Sequence, residues 1–133
     1  MKRHVKLTWF VTLVVLFLVA AYSLFPLDRV TERTEVRNLS GQTITNVVLE
    51  LRDFQGAWSV TRRVASLNQG ESLRVRHTHR DIKAVVTFSI AGRNVRHEEE
   101  YIDLWTGEGW RFDVQPNGTV VAGYDDSRSP RMP

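Results

Sequence analysis

His77 and His79 are the residues of this chain whose type and spacing point most directly to chemistry. Two positions apart on an extended strand, their imidazoles project from one face and can supply two ligands to a metal ion. Zinc takes three or four converging ligands, so His97 or Glu99 from another strand would have to complete the set. The competing reading is structural. His77 and His79 continue the inward parity of Leu73 and Val75, which makes them strand-end residues tucked beside a core. The run His97-Glu98-Glu99-Glu100 offers carboxylates, but on a strand Glu98 and Glu100 share a face and Glu99 takes the other, so at most two converge. Paired carboxylates do acid–base work when burial or a like charge raises one pKa. A solvated, charge-balanced strand face, with these acids meeting Arg74, Arg76 or Arg80 across strands, is the simpler account.

A second constellation is Trp105-Thr106-Gly107-Glu108-Gly109-Trp110, two indoles separated by glycines in an expected loop. A partly exposed indole contributes a large apolar area for few fixed rotamers, so Tyr101, Trp105, Glu108 and Trp110 are the expected partner contact. In the alternative, Trp110 opens a core strand and Trp105 covers one end of the domain. The chain contains no glycine-rich phosphate loop, no His-Glu-x-x-His and no Gly-x-Ser-x-Gly. With no cysteine it has no catalytic thiol, Cys-based zinc site or disulfide. The expectation is therefore a protein that is not an enzyme and carries no cofactor. The arginines, Arg37, Arg52, Arg62, Arg63, Arg74, Arg76, Arg80, Arg93 and Arg96 among them, suit phosphate, but the formal neutrality of the chain after the apolar run, and the compartment that their position sets, argue against nucleic acid.

That position is set by the elements that must carry these residues. Leu7 to Phe25 contains no charged residue and as a helix rises about 28 Å, close to the hydrocarbon thickness of a bilayer. Trp9 and Tyr22 lie near its ends, and Pro26 closes it. Lys2, Arg3 and Lys6 precede the run and no acid does, so the net charge of +3 belongs to the first six residues. By the positive-inside rule the N-terminus stays in the cytoplasm and everything after Pro26 is exported. The excess charge reads as an orientation signal and not as a hint of an anionic partner. A cleaved signal peptide is the rival, with Ala21-Tyr22-Ser23 as its cleavage site, although the apolar run is longer than a usual signal core.

After residue 30 the apolar residues recur mostly at period two, which argues strands. Ile82, Ala84, Val86, Phe88 and Ile90 share one face against Lys83, Thr87 and Ser89, and predict a central core strand. Val47, Leu49 and Leu51, with Asn46, Glu50 and Arg52 opposite, predict a second. Trp58, Val60 and Val64, then Leu73 and Val75, then Trp110, Phe112 and Val114 predict three more. Turn residues punctuate them, and Asn117-Gly118 between Val114 and Val120 is the clearest hairpin signal. About seven or eight short strands so spaced fit an all-β, antiparallel sandwich of immunoglobulin type. The expected layout is a basic N-terminus over residues 1–6, a transmembrane helix over 7–25, a tether over 26–30, the sandwich over 31–124 and a disordered tail over 125–133.

The segments Asn38-Leu-Ser-Gly-Gln-Thr-Ile-Thr-Asn-Val-Val-Leu, Leu67-Asn-Gln-Gly-Glu-Ser and Pro116-Asn-Gly-Thr-Val resemble small single-pass bacterial envelope proteins with one immunoglobulin-like domain. The resemblance implies a bacterial inner-membrane protein with its folded domain in the periplasm, and it carries over no functional residue. The leading expectation is a membrane-anchored, periplasmic protein–protein interaction module, either an accessory subunit of an envelope complex or a toxin-immunity protein. A periplasmic metal-binding or metal-delivery domain using His77, His79 and His97 is the alternative. If the anchor is retained, intact-mass measurement of the mature protein returns the full 15.3 kDa. A mass lacking residues 1–23 identifies a signal peptide instead.

Overall fold

The computed structural model describes residues 11–21, 31–104 and 108–125, and the chain divides into two units, Met1–Val30 and Thr31–Pro133. In the first unit residues 11–21 are helical, and Val11, Leu13 to Val15, Leu16, Phe17, Leu18 and Val19 are all exposed. No helix among the described residues is long and apolar enough to cross a membrane. The described helix covers the middle of the expected 7–25 span; the ends of that span, and residues 1–6 and 26–30, lie outside the described residues.

The second unit is a β-sandwich. Its strands are β1 (Glu32–Asn38), β2 (Ile44–Asp53), β3 (Ser59–Leu67), β4 (Ser72–His77), β5 (Asp81–Ile90), β6 (Arg93–Asp103), β7 (Gly109–Val114) and β8 (Val120–Tyr124). One sheet has the order β4-β1-β7-β8 and the other β3-β2-β5-β6. The alternation read from sequence holds where the inward positions are apolar: Val47, Leu49 and Leu51 of β2, all five expected residues of β5, and Phe112 and Val114 of β7 are buried in one core. Asn46 departs from its expected place in a regular strand. It sits at φ 50 in a bulge where the β2–β5 register shifts between Thr45 and Val48. The Asn117-Gly118 turn joins β7 to β8 with Gly118 at φ 82, where a Cβ would come within 3.1 Å of the Ile90 side chain.

The sandwich is not antiparallel throughout. β1 and β7 pair in parallel, Thr34 opposite Trp110 and Val36 opposite Phe112. These strands are far apart in the chain, so no hairpin sets their direction. Asp125, the first residue of the expected tail, is tied to the sandwich. The Asp125 N–H donates to the Gly109 carbonyl at 2.8 Å, and its carboxylate pairs with Arg111 and Arg33. Residues 126–133 lie outside the described residues.

The inner face of β1 is largely polar, with Glu32, Thr34 and Asn38 buried beside Val36. Asn38 works as a staple. Its Nδ2 donates to the carbonyls of Gln42 and Leu67 at 2.7 and 2.8 Å, and its Oδ1 accepts from the N–H and hydroxyl of Ser40. One side chain thus ties β1, the β1–β2 turn and the end of β3. Replacing it by Ala leaves several buried groups without partners. Asn38→Ala should cost about 2–4 kcal/mol in urea unfolding, against no more than about 1 kcal/mol for the exposed turn residue in Asn117→Ala. Equal losses would show that the staple is not special.

Candidate functional site

Strand register gathers the residues of interest at one end of the sandwich. Glu32 opposes His77, Arg33 opposes Gly109 and Trp110 opposes Tyr124 in one sheet; Arg52 opposes Ser59 and Ile82 opposes Ile102 in the other. The β2–β3 turn, the β4–β5 connection, the end of β6, the start of β7 and the end of β8 therefore share this end, where β1 also begins.

His77 is buried and fully engaged. Its Nε2 lies 2.9 Å from the Thr34 hydroxyl and its Nδ1 2.8 Å from the His79 carbonyl. In the neutral ring Nδ1–H donates to the carbonyl and Nε2 accepts from Thr34, an arrangement that latches the β4–β5 connection. Burial lowers the His77 pKa from its ordinary 6.5, against the opposing pull of the His79 carbonyl and of Glu32. The His79 ring stacks on Trp58, 4.2 Å between centroids at 15°. Glu32 is buried with one oxygen 3.7 Å from Arg80 and the other without a hydrogen-bond partner among the described residues.

The structure does not assemble the expected metal set. His97 stands on β6 in the opposite sheet, its Nε2 2.9 Å from Glu99 and its ring edge-on to Phe112. Among the described residues no group of three or more His, Cys, Asp or Glu is placed to hold a metal ion. The acidic run also finds other partners than expected. Glu98 pairs with Arg96 and Arg52, and Glu100 with Lys83, because β6 lies beside β5 while Arg74 and Arg76 belong to β4 in the other sheet.

The expected partner contact is divided. Tyr101 is exposed, its ring 5.3 Å from that of Phe54, whose own face carries Lys83 at 5.3 Å. Trp110 is half-buried, edge-on to Tyr124 at 5.0 Å, and Tyr124 donates to the Asp103 carbonyl. The Glu108 carbonyl accepts from the Arg33 N–H, so its backbone belongs to the β1 ladder. Trp105 lies outside the described residues. Phe54 was legible only as a turn residue; its pairing with Tyr101 depends on the β2–β3 turn meeting the end of β6.

A second feature had no clear signal in the sequence. Between the edges of β3 and β4 lies a cleft of about 420 Å³ lined by Trp58, Val60, Arg62, Arg76, His77 and His79 among others. The hint was Arg62, a charge at the inward parity of Trp58, Val60 and Val64, which marks an edge strand.

No protein-family model matches the chain, and no curated protein matches its sequence. Among solved structures, a candidate cell adhesion protein from Bacteroides ovatus is similar at 12% identity and TM-score 0.48, over 72% of this chain and 43% of that one. A protein from Eubacterium rectale is similar at 11% identity and TM-score 0.45, over 77% of this chain and 95% of that one. The human-specific toxin intermedilysin is similar at 10% identity and TM-score 0.40, over 71% of this chain and 23% of its own. Likenesses this distant say nothing of activity.

Because folding holds the His77 pKa below its unfolded value, the unfolded chain takes up a proton that the folded one refuses. This contribution to stability is full above the unfolded pKa and is lost as pH falls below it. Urea unfolding at about pH 8 and about pH 5 should show wild type losing more stability on acidification than His77→Gln. Equal losses would remove His77 as the source.

Proposed function

We propose that the chain is a membrane-anchored interaction module of the bacterial envelope, its sandwich in the periplasm, acting as an accessory subunit of a membrane complex or as a toxin-immunity protein. The observation that carries this reading is the exposed Phe54–Tyr101 pair, with Lys83 against it, at the end of the sandwich where β1 begins. Exposed aromatics grouped beside a cation are the usual anchors of protein interfaces. The helix over residues 11–21 supports the anchor, since a helix apolar on every face is stable in lipid or in a protein core. Residues 26–30 span at most about 18 Å, which confines the module to partners at the same membrane surface.

Affinity capture of the full chain in mild detergent, with mass spectrometry, tests the reading. Wild type should retain an envelope protein that the Phe54→Ala/Tyr101→Ala variant loses. A partner present in undisturbed cells marks an accessory subunit, and one recovered only after contact with toxin-bearing neighbours marks immunity. Recovery of no envelope protein above background overturns both.

A further inference from the structure

We propose that the cleft between the edges of β3 and β4 is a docking site for an extended acidic peptide segment, bound along the free edge of β3 and held by Arg62 and Arg76. The proposal deepens the interaction-module reading and rests on it only in taking the ligand to be a polypeptide.

Charge is the first ground. After the apolar run basic and acidic residues balance in number, but the strands do not share them evenly. β3 carries Arg62 and Arg63 and β4 carries Arg74 and Arg76, with no acid on either strand; β6 carries Glu98, Glu99, Glu100 and Asp103 against Arg93 and Arg96. The sandwich is cationic along one pair of edges and acidic along the β6 edge. Of the cleft arginines, Arg74 is held by Glu35 at 3.0 Å, whereas Arg62 and Arg76 have no ion-pair partner among the described residues. A guanidinium without a partner beside an aromatic wall is suited to a carboxylate.

Main-chain geometry is the second ground. The Asp53 N–H donates to the Trp58 carbonyl, which makes that antiparallel pair a hydrogen-bonded one. Pairs alternate along the ladder, so Val60 and Arg62 also turn their backbone groups toward β2. Ser59, Thr61 and Arg63 then point theirs outward, along the edge that borders the cleft. An added strand meets this row with its own backbone while its acidic side chains reach the guanidiniums, the mode of strand addition to a sheet edge.

Three other occupants fit less well. A second copy would offer its acidic β6, but there Glu98, Glu99 and Glu100 already pair with Arg96, His97 and Lys83. The chain's own residues 126–133 contain Arg128 and Arg131 against Asp126, and two prolines that remove backbone donors. A free inorganic anion would leave Trp58, Val60 and the β3 backbone unused.

The test uses the full chain in detergent micelles and the fluorescence anisotropy of a labelled peptide of alternating Glu and Thr. Binding should weaken with salt and fall about tenfold in Arg62→Gln/Arg76→Gln, the loss of two exposed charge-assisted contacts. A Gln–Thr peptide, and the Glu–Thr peptide N-methylated at alternate residues, should bind more weakly than the probe. Unchanged binding in the arginine variant, equal binding of the N-methylated peptide, displacement by inorganic phosphate at equal concentration, or self-association that excludes the probe would each overturn the proposal. Loss of partner capture with peptide binding intact removes the envelope-partner reading alone; capture without peptide binding removes the cleft alone.

Discussion

The sheet β4-β1-β7-β8 holds together through β1. In that order β4 and the β7–β8 hairpin do not neighbour each other, so both depend on the main-chain ladders of one strand. One of those ladders is parallel, the weaker geometry per residue, and the inner face of β1 buries more polar than apolar groups. The outer face supplies a second set of ties. Arg37 and Arg111 both reach Asp113, Arg111 and Arg33 both reach Asp125, and Arg74 reaches the buried carboxylate of Glu35. These pairs bridge β1 to β7, β7 to the end of β8, and β4 to β1. Exposed singly, such pairs are worth about 0–1 kcal/mol each; linked and half-buried across a parallel ladder, they also fix register. With no cysteine in the chain, side-chain networks of this kind do the work of a covalent staple.

What was legible in the sequence follows from the same division of labour. β5, β2 and β7 could be read because their inward positions are apolar and their outward ones, Val48 and Val85 apart, are polar. β1 could not, because Glu32, Thr34 and Asn38 face inward and their satisfaction comes from residues distant in sequence: Arg80, His77, Leu67. The parallel pairing was hidden for a related reason, since turn chemistry specifies only hairpins. The parity of His77 and His79 with Leu73 and Val75 puts both beside the core, and His77 is buried there. Their apparent chemistry dissolves once Thr34 and the His79 carbonyl occupy the His77 ring and Trp58 covers His79.

The candidate surfaces were less legible than the fold. Tyr101 stands out in the sequence for its closeness to a glycine-rich loop, yet its ring partner is Phe54, from the β2–β3 turn. Net charge is a coarser quantity than its distribution. The count after the apolar run is balanced, but the sheet order puts Arg62 and Arg76, without an ion-pair partner among the described residues, on β3 and β4 and four acids on β6. Charge summed along a chain and charge sorted by sheet edge are different quantities, and recognition responds to the second.

The β3 edge shows how one residue can serve folding and recognition together. An edge strand with open backbone groups invites any passing strand, and an inward-pointing arginine is a common defence, since pairing there would bury an unpartnered charge. Arg62 has that position, opposite Leu49 and between Val60 and Val64. The defence is conditional on the sequence of the approaching strand. A neutral or basic strand leaves the guanidinium unsatisfied and is rejected; a strand with a carboxylate in register satisfies it and gains the ladder as well. A charge that disfavours unmatched strands at this edge is by the same physics a filter for the strands it can accept, and the two roles need no separate residues.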